Sequence, residues 1–488
     1  MKAGKSEGPK NQETDQPTNS GKERSEESSE TDLERQEKVT SKTALKEKGE
    51  WNSPANQQRG GEPATRRTKV KKGLNEMIME QILSRENLNA AYLGVKANEG
   101  APGVDGRSVT ELKEQVRKHW ATLERKLRDG TYQPAAVRAV EIPKASGGKR
   151  TLGIPTVLDR LIQQAIHQVL SPMFEEGFSK HSYGFRPGRS AHDAVRTAQE
   201  YIKGGKHWVA DIDLKGFFDQ VDHDKLMYLV GKRVREKEVL RLIGKYLRAP
   251  MQRAGKKEAR NRGTPQGGPL SPLLANIYLD PLDKELEKRA VALVRYADDI
   301  AIYASSQRAA ERILESVIEW LNKELKLEVN RTKSGAGPTE QSGLLGFQIS
   351  QEGVIRIGDK AIQRLKEKVR ELWDGRQSKT TKELRQQWKQ YIRGWWNYFQ
   401  LAECWQAVTN LNGWIRRHMR KCFWQRWHKA KGRQKALQRL SIRGRLLLLA
   451  KCSRGAWRMA AHAVMQKALN NRQLQRYGFI LPWQDATA

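Results

Sequence analysis

The sequence predicts an α+β region followed by an all-helical, basic region, and two patterns support this prediction. Between residues 73 and 355, segments with helical periodicity alternate with short β-rich runs, which is typical of a mixed α+β fold. After residue 356, apolar residues recur every three or four positions in successive segments, which predicts helices. The 488 residues suffice for about three folded domains. We expect four regions: 1–72, 73–355, 356–430 and 431–488.

Residues 1–72 are predicted to form a disordered polar arm. Trp51 is the only aromatic residue in this segment, and its 16 basic residues nearly balance its 13 acidic ones. Such a composition cannot bury enough apolar surface to offset the conformational entropy that is lost on folding.

Two helices, a strand and a hairpin are predicted within the α+β region. Helical periodicity marks residues 74–93 and 158–170. Alternating apolar residues predict a strand at 208–214. Two short β-rich runs, 293–297 and 300–304, are separated by a turn, which predicts a hairpin.

Three helices are predicted after residue 356, because segments 362–372, 384–399 and 411–422 each carry apolar residues on one face. Ten of the chain's fourteen tryptophans lie between Trp373 and Trp483. These tryptophans have two interpretations, packing in a helical core or stacking on nucleic acid bases, and both can hold on different faces of the same helices.

The charge balance predicts a polyanionic partner. Lys and Arg total 90 against 56 Asp and Glu, a formal net charge of +34, and residues 356–488 alone hold 30 basic and 7 acidic residues. Nucleic acid and an acidic membrane surface both attract such a surface. No apolar run approaches the roughly 18–20 residues that span a bilayer, so we expect a nucleic acid partner and no membrane.

The cysteines and the N-terminal sequence predict a cytoplasmic protein. Cys404, Cys422 and Cys452 are too widely and unevenly spaced to form a disulfide framework or a zinc site. The first residues also lack the apolar stretch of a secretory signal.

Four aspartates predict a metal site. Asp298 and Asp299 form the turn of the predicted hairpin, where two adjacent carboxylates repel each other; an isolated pair of this kind would be an ordinary solvated turn. Asp211 and Asp213 lie on one face of the predicted strand. Two acidic strand ends that meet would hold two Mg²⁺ ions for an in-line phosphoryl displacement, since oxygen ligands favour Mg²⁺ over zinc.

Several sequence blocks resemble the reverse transcriptase–maturases encoded by bacterial group II introns, in that family's order. The blocks are NEGAPGVDG (98–106), IPK (142–144), LGIP (152–155), YGFRPGRS (183–190), TPQGGPLS (264–271), YADD (296–299), NRTK (330–333), LGF (345–347), RGWWNYF (393–399), SRGAW (453–457) and ALNN (468–471). The resemblance covers about residues 73–483. It implies a right-hand polymerase, with fingers and palm at 73–355, a helical thumb and maturase domain at 356–430, and a basic nucleic-acid-binding extension at 431–488.

The resemblance also implies the roles of individual residues. Asp213, Asp298 and Asp299 would be the catalytic metal ligands, with Asp211 as a neighbour on the same face. Residues implied to bind the incoming nucleotide are Lys144 and Arg150 at the triphosphate, Phe218 at the sugar 2′ position, Gln266 at the new base pair, and Lys333 as a candidate acid for the pyrophosphate. Residues expected to contact RNA or DNA are Arg393, Arg416, Arg417, Arg420, Lys421 and Arg454.

The implied function is RNA-directed DNA synthesis from dNTPs on an RNA template with a DNA primer. The same chain would bind its group II intron RNA to assist splicing, and would engage target DNA during intron mobility in the bacterial cytoplasm, at the nucleoid. Relatives with a His-Asn-His nuclease carry paired cysteines that are missing here after Cys422, so we expect no endonuclease. Synthesis would then start from a 3′ end supplied from elsewhere.

Two other functions are compatible with the sequence. One is a splicing factor that only binds RNA, although three mutually repelling aspartates argue against an inactive core. The other is a domesticated reverse transcriptase in phage defence, repair or spacer acquisition. The Trp-rich helices favour the intron interpretation, and the sequence leaves open whether the protein forms a homodimer.

Overall fold

The N-terminal helices of this computed structural model correct one prediction. The structure describes residues 77–143 and 149–484, so the predicted arm at 1–72 lies outside the described residues. Where one helix was predicted at 74–93, there are two, α1 (Ile78–Ile82) and α2 (Arg85–Ala97). The reason is Ser84, which has an extended backbone and accepts a hydrogen bond from the Asn87 amide at 3.3 Å. This N-cap starts a new helix.

The remaining α+β part alternates helices and strands as predicted. Its other helices are α3 (Leu112–Arg128), α4 (Val157–Glu175), α5 (Ala191–Lys203), α6 (Phe217–Gln220), α7 (His223–Gly231), α8 (Lys237–Arg248), α9 (Ser271–Lys288) and α10 (Gln307–Trp320). Its strands are β1 (Val137–Pro143), β2 (Lys149–Ile154), β3 (Trp208–Asp213), β4 (Met251–Arg253), β5 (Lys256–Glu258), β6 (Ala292–Tyr296), β7 (Asp299–Ala304), β8 (Gly335–Pro338), β9 (Phe347–Ile349) and β10 (Ile355–Ile357).

Within the described residues, two four-stranded sheets organise this part. The first has the strand order β2-β1-β4-β5, with β1 antiparallel to β2 and parallel to β4. The second has the order β6-β7-β3-β8 and is antiparallel throughout. The predicted strand at 208–214 and the predicted hairpin at 293–304 are both confirmed, and they are neighbours in the second sheet. Helices α5 and α10 pack against this sheet.

The region after residue 356 is helical, as predicted. Its helices are α11 (Asp359–Leu372), α12 (Thr381–Phe399), α13 (Gln406–Thr409), α14 (Asn412–Arg426), α15 (Ala430–Arg439), α16 (Ala456–Ala461), α17 (Ala463–Ala468) and α18 (Asn471–Arg476). Trp373, Trp388, Trp424 and Trp483 are fully buried. The core interpretation of the tryptophans therefore holds for these four.

One apolar cluster continues from the second sheet into the helical region. It includes Val209 and Val294 of the sheet, Leu365 of α11, Trp388 of α12 and Met459 of α16. No helix among the described residues is both long and apolar enough to cross a bilayer. The boundaries predicted at 355/356 and 430/431 stay predictions.

Candidate active site

Backbone register brings the predicted aspartates together. Strand β3 is antiparallel to β7, and Asp213 lies directly opposite Asp299. The hairpin of β6 and β7 closes with Tyr296 opposite Asp299. The two-residue turn is therefore Ala297-Asp298, one residue earlier than the predicted Asp298-Asp299, and Asp299 is the first residue of β7. Ala297 has a φ of 58°, in the left-handed region that such tight hairpin turns require. Three aspartates from two distant segments thus meet at one end of the two central strands of the sheet, β3 and β7.

A neighbouring loop packs directly on this turn. A Cβ atom on Gly184 would lie only 2.3 Å from the Ala297 nitrogen, so no larger residue could occupy this position without moving the turn. The Gly184 carbonyl also accepts a hydrogen bond from the Asn276 side-chain amide at 2.9 Å. The 183–190 block therefore supports the backbone of the aspartate turn.

A buried ion pair supports the turn through a hydrogen bond to its backbone, and the sequence analysis did not predict it. Arg295 and Asp283 are both fully buried, with Arg295 Nε and Nη2 donating to the two carboxylate oxygens at 2.7 and 2.5 Å. Arg295 Nη1 donates to the Ala297 carbonyl at 2.9 Å and to Asn276 Oδ1 at 3.0 Å. The available signal was an arginine inside an otherwise apolar strand, since a buried charge requires a partner.

The aspartates are electrostatically crowded. Burial, together with the nearby Asp213 carboxylate, raises the pKa of Asp211 to about 6. Partial burial and the carboxylates of Asp298, Asp211 and Asp213 raise the pKa of Asp299 to about 6. The pKa of Asp298 is raised mainly by burial and further by Asp213. A cation bound by these carboxylates would offset both the unfavourable burial of their charges and the repulsion between them.

This donor set suits hard divalent cations. Within residues 77–143 and 149–484, no three His, Cys, Asp or Glu side chains are arranged to enclose an ion by themselves. Mg²⁺ usually takes one or two carboxylates and completes its shell with water and substrate phosphates. Crowded carboxylate oxygens at the ends of β3 and β7 match that requirement, whereas a closed protein cage would not.

Residues 330–334 surround Asp213. Lys333 Nζ lies 3.4 Å from Asp213 Oδ2, and Asn330 Nδ2 donates to the same oxygen at 3.4 Å. The Asp213 amide donates to Ser334 Oγ at 2.8 Å. Lys333 is more than half exposed, so the structure places a solvent-accessible ammonium group beside a catalytic candidate.

Three predicted nucleotide-binding residues from separate segments line one cleft of about 520 Å³. They are Arg150 at the start of β2, Phe218 in α6, and Gln266 in the loop before α9. Lys144 lies outside the described residues. The cleft thus brings together a guanidinium group, an aromatic ring and a side-chain amide.

The glycines of the 263–268 loop serve its packing. A Cβ atom on Gly263, whose φ is 82°, would lie 2.8 Å from the Phe218 carbonyl. One on Gly267, whose φ is 128°, would lie 2.7 Å from the Gly153 carbonyl in β2. The loop is therefore held between α6 and β2, and this holds Gln266 at the cleft.

The basic residues expected to contact nucleic acid differ in their exposure to solvent. Arg393 and Arg454 are exposed, and Arg416, Arg417 and Lys421 are half-buried. Arg417 lies over the Trp457 ring and donates to the Trp457 carbonyl.

Arg420 differs from the other expected nucleic-acid contacts in its burial. Its side chain is 9% exposed, and Nε donates to the Leu469 carbonyl at 2.9 Å. Burial and the nearby Arg416 lower its pKa. A guanidinium group that joins α14 to the end of α17 in the interior is a packing element, and its burial leaves it little surface for a phosphate.

The fold and the site together define a right-hand polymerase. Three aspartates meet on an antiparallel sheet, a nucleotide-sized cleft lies on the neighbouring elements, and a helical basic region follows. Such an arrangement is suited to phosphoryl transfer on a nucleic acid.

Comparison with known proteins gives the family. Residues 142–349 match the family "Reverse transcriptase (RNA-dependent DNA polymerase)", and residues 362–441 match "Group II intron, maturase-specific domain". Protein YkfC of Escherichia coli is 34% identical over 299 residues, which cover 53% of this chain and 78% of that protein. The chain belongs to the reverse transcriptase family, in the group that carries a group II intron maturase domain.

Other relatives are matched over a smaller share of their length. The group II intron-encoded protein LtrA of Lactococcus lactis subsp. cremoris is 36% identical over 266 residues, which cover 53% of this chain but 41% of LtrA. Among solved structures, the partial Cas6-RT-Cas1–Cas2 complex aligns with 51% of this chain and 43% of that chain, at 25% identity and a TM-score of 0.33. A TM-score this low leaves the family assignment to the sequence matches.

Proposed function

We propose that this chain synthesises DNA on an RNA template and that it binds a group II intron RNA to assist its splicing. The observation that carries the first part is the register of the second sheet, which places Asp213 opposite Asp299 with Asp298 on the adjoining turn. The family of the helical region supports the second part.

Asp213, Asp298 and Asp299 would hold two Mg²⁺ ions, which supply charge stabilisation for the attacking and leaving oxygens. The chain's own residues position the substrate. Arg150 would bind the triphosphate of a dNTP in the cleft, since a guanidinium group pairs well with phosphate oxygens. Phe218 would contact the sugar at its 2′ position, and Gln266 would contact the new base pair.

Lys333 would donate the proton to the leaving pyrophosphate. Its position beside Asp213 and its exposure to solvent support this role. In the absence of substrate, its ammonium group compensates part of the negative charge of the aspartates.

The intron RNA would bind the exposed basic surface of residues 356–484, where Arg393 and Arg454 point to solvent. During mobility, the chain would extend a 3′ end supplied from elsewhere after the intron RNA inserts into target DNA. The residues that match known families lie in the reverse transcriptase part and in the maturase part. Polymerisation and binding of intron RNA are therefore the two activities proposed for this chain.

Two assays on the full chain test the proposal. Purified protein with Mg²⁺ and dNTPs should extend a DNA primer on an RNA template, and it should accelerate self-splicing of its intron RNA at low Mg²⁺. Failure to extend any primer would refute the polymerase part, and splicing that is unchanged at saturating protein would refute the maturase part.

The mobility route has its own test. Protein loaded with intron RNA should insert RNA into one strand of a target duplex, and an annealed primer should then permit cDNA synthesis. Site-specific nicking of the opposite strand by the purified complex would contradict this route.

A further inference from the structure

A second cavity, remote in sequence from the aspartate turn, lies among the C-terminal helices. It measures about 560 Å³ and is formed by α14, α15, the first residue of α12, and the segment from Leu469 to Tyr477. We call it the C-terminal pocket. None of the polymerase residues described above lines it.

Two helix faces form its walls. Arg426, the last residue of α14, and Trp427, its C-cap, follow Phe423 by three and four residues, which places all three on one side of the helix end. On α15, the lining positions 432, 435, 436, 439 and 440 repeat every three or four residues, which is one continuous face of a helix. The pocket is thus built by regular secondary structure.

Gly432 lets these two helices approach each other. A Cβ atom on Gly432 would lie 2.5 Å from the Trp427 carbonyl oxygen, so a larger residue would push α15 away from α14. The close approach brings Lys435 and Arg439 to the same opening as Arg426.

The lining has two chemically distinct parts. Phe423 and Leu469, which are 7% and 1% exposed, form an apolar base. Trp427 is half-buried and Tyr477 is 39% exposed, so both present ring surface at the opening. Arg426, Lys435 and Arg439 add three positive charges, and no acidic residue is among the described residues that line the pocket.

We propose that the C-terminal pocket binds one unstacked nucleotide of a single-stranded nucleic acid segment. The base would stack on Tyr477, the more exposed of the two rings, and the flanking phosphates would pair with Arg426, Lys435 and Arg439. Aromatic rings beside cations are how proteins hold single strands, because every base offers a π-face and every linkage a negative charge. The inference rests on the proposed function and locates one contact within it.

The size of the pocket is compatible with this ligand. Its volume lies within the range of about 300–1,000 Å³ that encloses small organic molecules, which suits a single base. A duplex keeps its bases stacked and paired, so it could offer the pocket only its backbone. The absence of lining carboxylates opposes a basic peptide, and an acidic peptide is the competing occupant that the test below excludes.

Tyr477→Ala in the full chain tests the stacking contact. The probe is a hexaribonucleotide with one 2-aminopurine, whose fluorescence falls when it stacks on an aromatic ring. Wild-type protein should quench the probe, and Tyr477→Ala should weaken binding by about 5- to 100-fold while leaving affinity for an RNA duplex unchanged. Tyr228→Ala is the matched control, because Tyr228 is a 62% exposed tyrosine on α7.

A pair of double variants tests the charges. Lys435→Gln with Arg439→Gln should reduce both binding and quenching of the probe. Arg445→Gln with Lys451→Gln removes the same charge from exposed residues of the same region that do not line the pocket, and should leave quenching at saturation unchanged. The same probe made of DNA distinguishes an RNA ligand from a displaced DNA strand, since either one satisfies the proposed chemistry.

The proposal is overturned if Tyr477→Ala leaves quenching and affinity unchanged, or if single-strand and duplex affinities fall equally. It is also overturned if a poly-glutamate peptide competes as well as the oligonucleotide at equal charge. Primer extension and intron-RNA affinity, measured on the same samples, report the proposed function separately: a pocket that fails in a protein active in both assays refutes only this inference.

Discussion

The aspartate turn and the C-terminal basic region use charge in opposite ways. In the turn, a few carboxylates are crowded at fixed positions by strand pairing, and burial together with their mutual repulsion raises the pKa of Asp299 to about 6. In the basic region, many cations stand on helix surfaces with few acidic partners. The first arrangement fixes a geometry for ions, and the second provides affinity for a polyanion without requiring one geometry.

This difference predicts that polymerisation and RNA binding can be separated. Asp298→Asn with Asp299→Asn should lower primer extension by on the order of 10³-fold or more, because several kcal/mol of transition-state stabilisation depend on the metal ligands. RNA affinity, measured by filter binding, should stay within about twofold, since the basic surface is untouched. Near wild-type extension in the double variant would refute the metal assignment.

The geometry of the aspartate turn also depends on the buried ion pair between Arg295 and Asp283. Arg295→Met leaves Asp283 charged and unpaired in the interior, which should cost about 3–5 kcal/mol of unfolding free energy in a denaturant titration. Arg295→Met with Asp283→Leu should recover most of that stability, because two apolar side chains can replace a buried pair.

Primer extension distinguishes support of the turn from general stability. The double variant still lacks the donor to the Ala297 carbonyl, so it should fold but extend primers with a reduced kcat and a nearly unchanged KM for dNTPs. Full recovery of kcat along with stability would mean that Arg295 contributes only to folding.

Phe218 should produce a smaller effect that concerns selectivity. If its ring contacts the sugar, Phe218→Ala should raise the ratio of ribonucleotide to deoxynucleotide incorporation by about tenfold or more, the range in which pocket shape discriminates small groups. Single-nucleotide insertion kinetics with matched rNTP and dNTP measure this ratio. An equal loss for both substrates would assign Phe218 to packing against Phe217, whose ring centroid is 5.2 Å away.

The smallest effect is expected from the N-terminal arm. Intron RNA affinity should fall linearly on a log–log scale as salt increases, because phosphates release counterions when cations neutralise them. Removing residues 1–72, whose net charge is only +3, should change that slope by less than about three. A slope that falls by half would show that the arm is a principal binding element.

The two regions also differ in what their sequence could predict. The strand and hairpin patterns placed Asp211 and Asp213 on one face of a strand and Asp298 and Asp299 at a turn, because β periodicity determines which side chains share a face. The choice of Asp213 as the partner of Asp298 and Asp299 came from the resemblance. The cleft shared by Arg150, Phe218 and Gln266 followed from resemblance alone, since no local pattern joins segments so distant in sequence.

Local patterns failed where long-range contacts decide the outcome. Arg420 has the sequence context of a surface cation, yet the Leu469 carbonyl holds it inside. The role of Arg295 depends on Asp283 and on a carbonyl at the turn, and periodicity carries no information about such partners. Ser84 was the exception, because its capping signal was local and was overlooked.

The fully buried pair of Arg295 and Asp283 also constrains how this sequence can evolve. Losing either member alone leaves a charge in the interior, so each single change passes through a much less stable protein. Replacing both residues together by apolar ones removes the hydrogen bond from Arg295 to the Ala297 carbonyl. Descendants of this chain that keep the polymerase should therefore retain both residues, or exchange them only for another pair that still donates to the Ala297 carbonyl.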